Sequence, residues 1–107
     1  MFKFTGKTAL VTGAAKRIGR AVMLSLARSG CNVVIHYNRS EADAEEAAEE
    51  ARSTGVSAYT LRADLASREE TTRLFESAQA RVGTIDFLVN SASMFPSDRL
   101  NELSIES

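Results

Sequence analysis

The sequence predicts an α/β fold built as a doubly wound parallel sheet. Three observations lead there. Apolar runs of strand length alternate with amphipathic runs of helix length, in the order β-α-β-α-β-α-β. The stretches joining successive strands are too long for hairpins and suit right-handed parallel crossovers. ALV at 9–11 and FLV at 87–89 are continuous apolar runs, the pattern of strands covered by helices on both faces.

The first strand is expected over Thr8–Thr12. The glycine-containing turn TGAAKRIG, residues 12–19, leads from it into a helix over Arg17–Ser29, and Gly30 falls where that helix should stop. A second strand follows over Asn32–Tyr37. Ser40 and Asp43 form a weak version of a capping pair before a helix over Glu41–Ser53. Its alanines at 44, 47, 48 and 51 make a thin apolar stripe, so its acidic residues form the solvated face. Gly55 precedes a third strand over Val56–Arg62. Ser67 and Glu70 form an S-x-x-E capping box at the head of a helix over Arg68–Val82. Gly83 ends that helix before a fourth strand over Ile85–Asn90. In a doubly wound sheet the second half begins beside the first strand, which gives spatial order 3-2-1-4. The fourth strand would then be a bare apolar edge, a hazard that folded proteins avoid. The chain therefore reads as the first half of a larger sheet, truncated before the second half.

Composition bounds the function. The 107 residues are 44% hydrophobic and 25% charged with a net charge of −1, which gives no reason to expect a nucleic-acid partner. One cysteine, Cys31, excludes an internal disulfide and fits a reducing cytoplasm. It is expected to be a small packing residue. MFKFTGK is too short and interrupted for a signal peptide, and no apolar run approaches the roughly 20 residues of a membrane span.

The turn at 12–19 carries the chemistry. Gly13 makes the tight turn, and Gly19 is small where the helix must approach the sheet or a ligand closely. Unpaired N–H groups at the start of the helix, with its dipole, favour a pyrophosphate. The spacing is not the usual G-x-G-x-x-G. T-G-x-x-x-x-I-G resembles the T-G-x-x-x-G-x-G fingerprint of the short-chain dehydrogenase/reductase family, with Arg17 in place of the middle glycine. The resemblance implies a Rossmann-type domain, of which residues 1–107 would be the N-terminal dinucleotide-binding half.

At the end of the second strand, enzymes that use NAD place an acid against the ribose 2′-hydroxyl. This chain reads HYNRS at 36–40, with no acid. Arg39 can pair with a 2′-phosphate and the Ser40 hydroxyl can donate to it, with Lys16 and Arg17 across the same pocket. The expected cofactor is NADP(H). Two more segments match the family. Asp64 and Leu65 follow the third strand, where the resemblance implies that an Asp side chain and the next N–H read adenine; the plain alternative is that Asp64 only starts the turn. N-S-A-S at 90–93 stands where the family has N-N-A-G, so Asn90 and Ala92 match while Ser91 and Ser93 depart. The cofactor-binding set is thus Gly13, Lys16, Arg17, Ile18, Gly19, Tyr37, Asn38, Arg39, Ser40, Asp64, Leu65, Asn90 and Ala92.

TGAAKRIGR, HYNRS and SASMF look most like pteridine reductases, which implies that Ser93 and Phe95 hold a flat pterin against the nicotinamide. The bacterial 3-oxoacyl-carrier-protein reductases share this half almost as well. The family's catalytic serine and Y-x-x-x-K pair are not found. Residues four beyond Tyr37 and Tyr59 are Glu41 and Ala63, and the lone histidine, His36, is expected to be structural or to line the cofactor pocket. The whole is read as the cofactor half of a cytoplasmic reductase of small molecules, a homo-oligomer (tetramers being typical of the family). A nucleotide-binding module without catalysis is the alternative of another class.

Overall fold

β1 (Thr8–Thr12) is buried at every position and runs down the middle of the sheet. The structure is a computed structural model and describes residues 3–91. After β1 come α1 (Arg17–Arg28), β2 (Asn32–Tyr37), α2 (Glu41–Arg52), β3 (Ala58–Arg62), α3 (Arg68–Val82) and β4 (Phe87–Asn90). The four strands form one parallel sheet in the order β3-β2-β1-β4, as the sequence predicts. Leu10 lies opposite both Val34 and Leu88.

Alternation along the strands divides the core into two layers. Ala9, Val11, Val33 and Ile35 face α1 and α2, meeting Met23, Leu24 and Ala27 of α1. Leu10 and Val34 face α3, meeting Leu74 and Ala78. Each fully buried Val, Leu, Ile or Met side chain stabilises by about 1.5–3 kcal/mol relative to exposure, and each alanine by less. The alanine stripe of α2 is fully buried at 44, 47, 48 and 51, which seats that helix close to the sheet and to α1. Arg20 of α1 spans the outer seam, with Nη1 2.9 Å from Glu46 and Nη2 2.8 Å from Glu50. Cys31 is buried and its thiol pKa is pushed up, first by that burial and then by the Asp86 charge, as suits a packing residue.

Four local expectations need correction. The first two helices end one residue early, because Ser29 and Ser53 act as C-caps. β3 starts at Ala58, not Val56: the Ser57 N–H bonds to the Asn32 side chain at 2.9 Å before the ladder begins. β4 starts at Phe87, not Ile85. The Asp86 carboxylate accepts the Thr8 N–H at 2.9 Å, taking the place of a strand carbonyl. The caps differ too. Ser40 makes no side-chain cap. Ser67 accepts the Glu70 N–H at 3.2 Å, but the Glu70 carboxylate does not return to Ser67; it takes the Asp64 N–H at 2.8 Å and the Arg62 guanidinium instead.

Candidate functional site

The carboxyl ends of β1, β2 and β3 deliver three loops to one edge of the sheet. Gly13 turns the chain with φ +63°, a left-handed backbone that favours glycine. His36 of β2 holds this turn twice. Its carbonyl accepts the Ala14 N–H at 3.1 Å, and its Nδ1 accepts the Gly13 N–H at 2.9 Å. Nε2 lies 2.8 Å from the Ala63 carbonyl and must donate to it, so the two contacts together define the neutral, Nε2-protonated tautomer. Burial holds the His36 pKa below its usual value. The Arg62 charge acts in the same direction and the bond to Ala63 opposes it. His36 is thus a structural clamp between two loops.

Two features of α1 suit an anion, and two more concern how it joins the turn. No side chain caps its N-terminus, and its first turn holds no acidic residue, whereas α2 and α3 each carry two there. Gly19 packs directly against the turn, with no room for a side chain. A Cβ there would run into the Gly13 carbonyl and come within 2.7 Å of the Ser91 hydroxyl. Arg17 has φ +55°, the left-handed backbone, at the position where the fingerprint has its middle glycine.

Between this turn and the end of β2 lies a groove of about 430 Å³, lined by Gly13, Ala15, Lys16, Tyr37, Asn38, Arg39 and Ser40. No carboxylate is among these lining residues. Lys16 rests 3.5 Å from Asp43 in a half-exposed ion pair, a contact of little net worth that a ligand anion can replace. Arg17 and Ile18 stand beside the groove without lining it. Both are exposed, Ile18 to 76%. The structure therefore brings together Gly13, Lys16 and residues 37–40, with Gly19 behind the turn.

Asp64 forms its own turn, its carboxylate accepting the Ala66 N–H at 3.0 Å, while Leu65 packs toward α3. Asn90 accepts from the Thr12 hydroxyl at 2.9 Å. Ser91, a departure from the fingerprint, donates its N–H to the Thr12 hydroxyl at 3.0 Å and its own hydroxyl to the Thr12 carbonyl, which locks the end of β4 to β1. Ala92, Ser93 and Phe95 lie outside the described residues. Among the described residues no group of three or more histidine, cysteine or carboxylate side chains is placed to hold a metal. The uncapped helix and the cation-lined groove fit the phosphates of a dinucleotide. Sequence reasoning missed Arg62 and Ser91 as organisers of this edge, because their partners are brought near only by the sheet.

Comparison with known proteins gives a consistent result. Residues 7–107 match the family described as short chain dehydrogenase. A hydroxynaphthalene reductase-like protein of Metarhizium robertsii is 41% identical over 88 residues, 82% of this chain and 33% of that protein. An L-rhamnose 1-dehydrogenase (NADP(+)) of Thermoplasma acidophilum is 34% identical over 99% of this chain and 42% of its own length. The chain thus spans between a third and a half of these curated relatives. Among solved structures, a promiscuous reductase, LugOII, described as catalysing keto-reduction during lugdunomycin biosynthesis, superposes with TM-score 0.79 at 39% identity, covering 88% of this chain and 41% of its own. A dehydrogenase/reductase from Sinorhizobium meliloti gives TM-score 0.81 at 33% identity, over 85% of this chain and 36% of its own.

Proposed function

The chain belongs to the short chain dehydrogenase family, and from that premise we propose that the complete protein is an NADP(H)-dependent oxidoreductase of small molecules. Residues 1–107 are its N-terminal dinucleotide-binding half. The observation that carries the cofactor reading is the groove at the end of β2, whose walls include Lys16, Arg39 and Ser40 and no carboxylate. An acid there would grip a ribose 2′-hydroxyl and repel a 2′-phosphate; the cations do the reverse. The NADP(+) in the name of the rhamnose dehydrogenase supports the same choice.

In this reading Gly13 and the N-terminus of α1 hold the pyrophosphate, with Gly19 letting the helix start pack directly on the Gly13 turn and Ile18 beside it. Arg39, Ser40 and Lys16 hold the 2′-phosphate, with Arg17 beside the groove as a further nearby cation; Tyr37 and Asn38 flank the phosphate, and Asp64 and Leu65 meet the adenine. Asn90 lies at the same carboxyl edge, and Ala92 is assigned to the same cofactor set. The bound cofactor supplies a hydride. This chain has no Y-x-x-x-K pair, so its residues are assigned binding and orientation, not proton transfer. The substrate reading is a flat fused ring, pterin-like, held by Ser93 and Phe95. The hydroxynaphthalene reductase-like relative, named for a fused bicyclic aromatic, favours a flat ring too. A 3-oxoacyl thioester is the second reading, and assaying the complete enzyme on dihydrobiopterin and on such a thioester separates the two. The complete protein is taken to be a cytoplasmic homo-oligomer. No described helix is long and apolar enough to cross a membrane.

The test is a pair of dissociation constants. The complete protein should bind NADPH more tightly than NADH, and Arg39→Asp should erase or reverse the preference. Charge-assisted hydrogen bonds of this kind contribute about 1.5–3 kcal/mol. Equal constants for the two cofactors in the unaltered protein overturn the reading.

A further inference from the structure

Arg62 ends β3, in register with Tyr37 at the end of β2. It does not line the groove at Lys16, Arg39 and Ser40. Its guanidinium nevertheless grips that groove's rim. Nε donates to the Asn38 carbonyl at 3.1 Å and Nη2 to the Asn38 side-chain oxygen at 3.2 Å. On its other side Nη1 donates to Glu70 Oε1 at 3.1 Å. The same Glu70 oxygen takes the Asp64 N–H at 2.8 Å, and the Glu70 N–H bonds back to Ser67. One guanidinium thus joins the loop after β2 to the loop after β3 and to the head of α3.

The Arg62 side chain is 52% exposed and that of Glu70 33%, so their ion pair alone is a weak source of stability. Geometry is what it supplies. Holding the main-chain and side-chain oxygens of Asn38 together fixes the direction in which the chain leaves Asn38, and the next two residues are Arg39 and Ser40. A lysine ammonium is a point charge without the planar fork, so it cannot span both Asn38 oxygens and Glu70 in this way.

We propose that Arg62 is a positioning residue for cofactor discrimination: through Asn38 it sets the loop that presents Arg39 and Ser40 to a 2′-phosphate. This rests on the NADP(H) reading above. The effect should fall on NADPH and spare NADH, because only NADPH carries the phosphate that Arg39 meets.

The experiment measures NADPH and NADH dissociation constants by fluorescence titration of the complete enzyme and its Arg62→Ala, Arg62→Lys, Asn38→Ala, Arg39→Ala and Arg62→Ala/Arg39→Ala variants. Loss of two or three such hydrogen bonds should weaken NADPH roughly three- to tenfold. NADH should stay within about twofold in Arg62→Ala, and Arg62→Lys should fail to rescue NADPH if the fork matters. Asn38→Ala, which removes one arm of the fork, should give a smaller loss of the same kind; because Asn38 itself lines the groove, Arg62→Lys supplies the answer if Arg62→Ala does not fold. In the Arg39→Ala background, Arg62→Ala should add almost nothing. Equal weakening of both cofactors, or full additivity with Arg39→Ala, overturns the inference and makes Arg62 a structural tie. If Arg39→Ala removes the preference while Arg62→Ala and Asn38→Ala keep it, this inference alone falls. If Arg39→Ala changes nothing, the NADP(H) reading falls and this one with it.

Discussion

His36 commits both ring nitrogens to the main chain, one to Gly13 and one to Ala63, and so has no acceptor left for a proton. Its folded pKa is depressed, chiefly by burial. As pH falls, the unfolded chain takes the proton first. The contribution of neutral His36 is therefore complete above the unfolded value of about 6.5 and is lost as pH falls from there toward the folded pKa. Urea midpoints of the complete protein should drop as pH falls below about 7, and His36→Gln, which can keep a donor and an acceptor, should lack that component. Superimposable pH profiles would show that the ring does not titrate in this way. Arg17 poses the opposite problem. Its left-handed backbone costs about 1–3 kcal/mol for a residue with a side chain. Arg17→Gly should therefore raise stability by about 1 kcal/mol, after the greater freedom of glycine in the unfolded chain is discounted, while weakening NADPH binding. A thermal melt and one titration decide both halves, and a loss of stability would mean that Arg17 makes contacts exceeding its strain.

At the scale of the element, α1 is the part that must fit most closely. It begins without a side-chain cap, and its third residue, Gly19, sits against the Gly13 turn and the end of β4. The apolar face of α1 fixes its depth on the sheet through Met23, Leu24 and Ala27, so the helix has little freedom to retreat. Gly19→Ala would set a methyl against the Gly13 carbonyl, which is backbone and cannot turn aside. Overpacking of this kind costs about 1–3 kcal/mol. Stability should fall by that amount, and NADPH affinity should fall more than about tenfold, because the displaced turn is the proposed phosphate site. Isothermal titration calorimetry checks this, and unchanged affinity would separate α1 from the cofactor site. α2 shows the same logic on the other seam, where four alanines let it lie close and Arg20 closes the rim.

At the scale of the whole molecule, the described helices cover the sheet unevenly. α1 and α2 bury one face of the sheet, and α3 covers part of the other. β4 alternates between half-buried and exposed positions, with Leu88 50% exposed, although FLV is the pattern of a strand buried on both faces. Among the described residues no strand pairs with its outer side. An apolar edge of this kind is prone to association. Residues 1–107 produced alone should therefore melt broadly, self-associate at micromolar concentration and show no reductase turnover, whereas the complete protein should melt sharply. Calorimetry with sedimentation velocity measures both, and a sharp transition from a monomeric 1–107 chain would contradict the first part.

Alternating patterns, helix-ending glycines and doubly apolar strands were enough to derive the element order, the parallel sheet and the sequence 3-2-1-4 of its strands, because each signal lies within a few residues of the backbone it governs. The glycine turn and the acid-free HYNRS were legible for the same reason: both are local and both sit at strand ends. What only the tertiary structure decided are the contacts made by polar side chains across loops. Asp86 replaces a ladder carbonyl for Thr8, 78 residues away, and so starts β4 late. Glu70 leaves its capping box for Asp64 and Arg62. His36 binds the glycine turn from 23 residues on, and Ser91 locks onto Thr12 from 79. A carboxylate or hydroxyl takes whichever donor or acceptor the assembled sheet brings within about 3 Å, and spacing along the chain does not carry that choice.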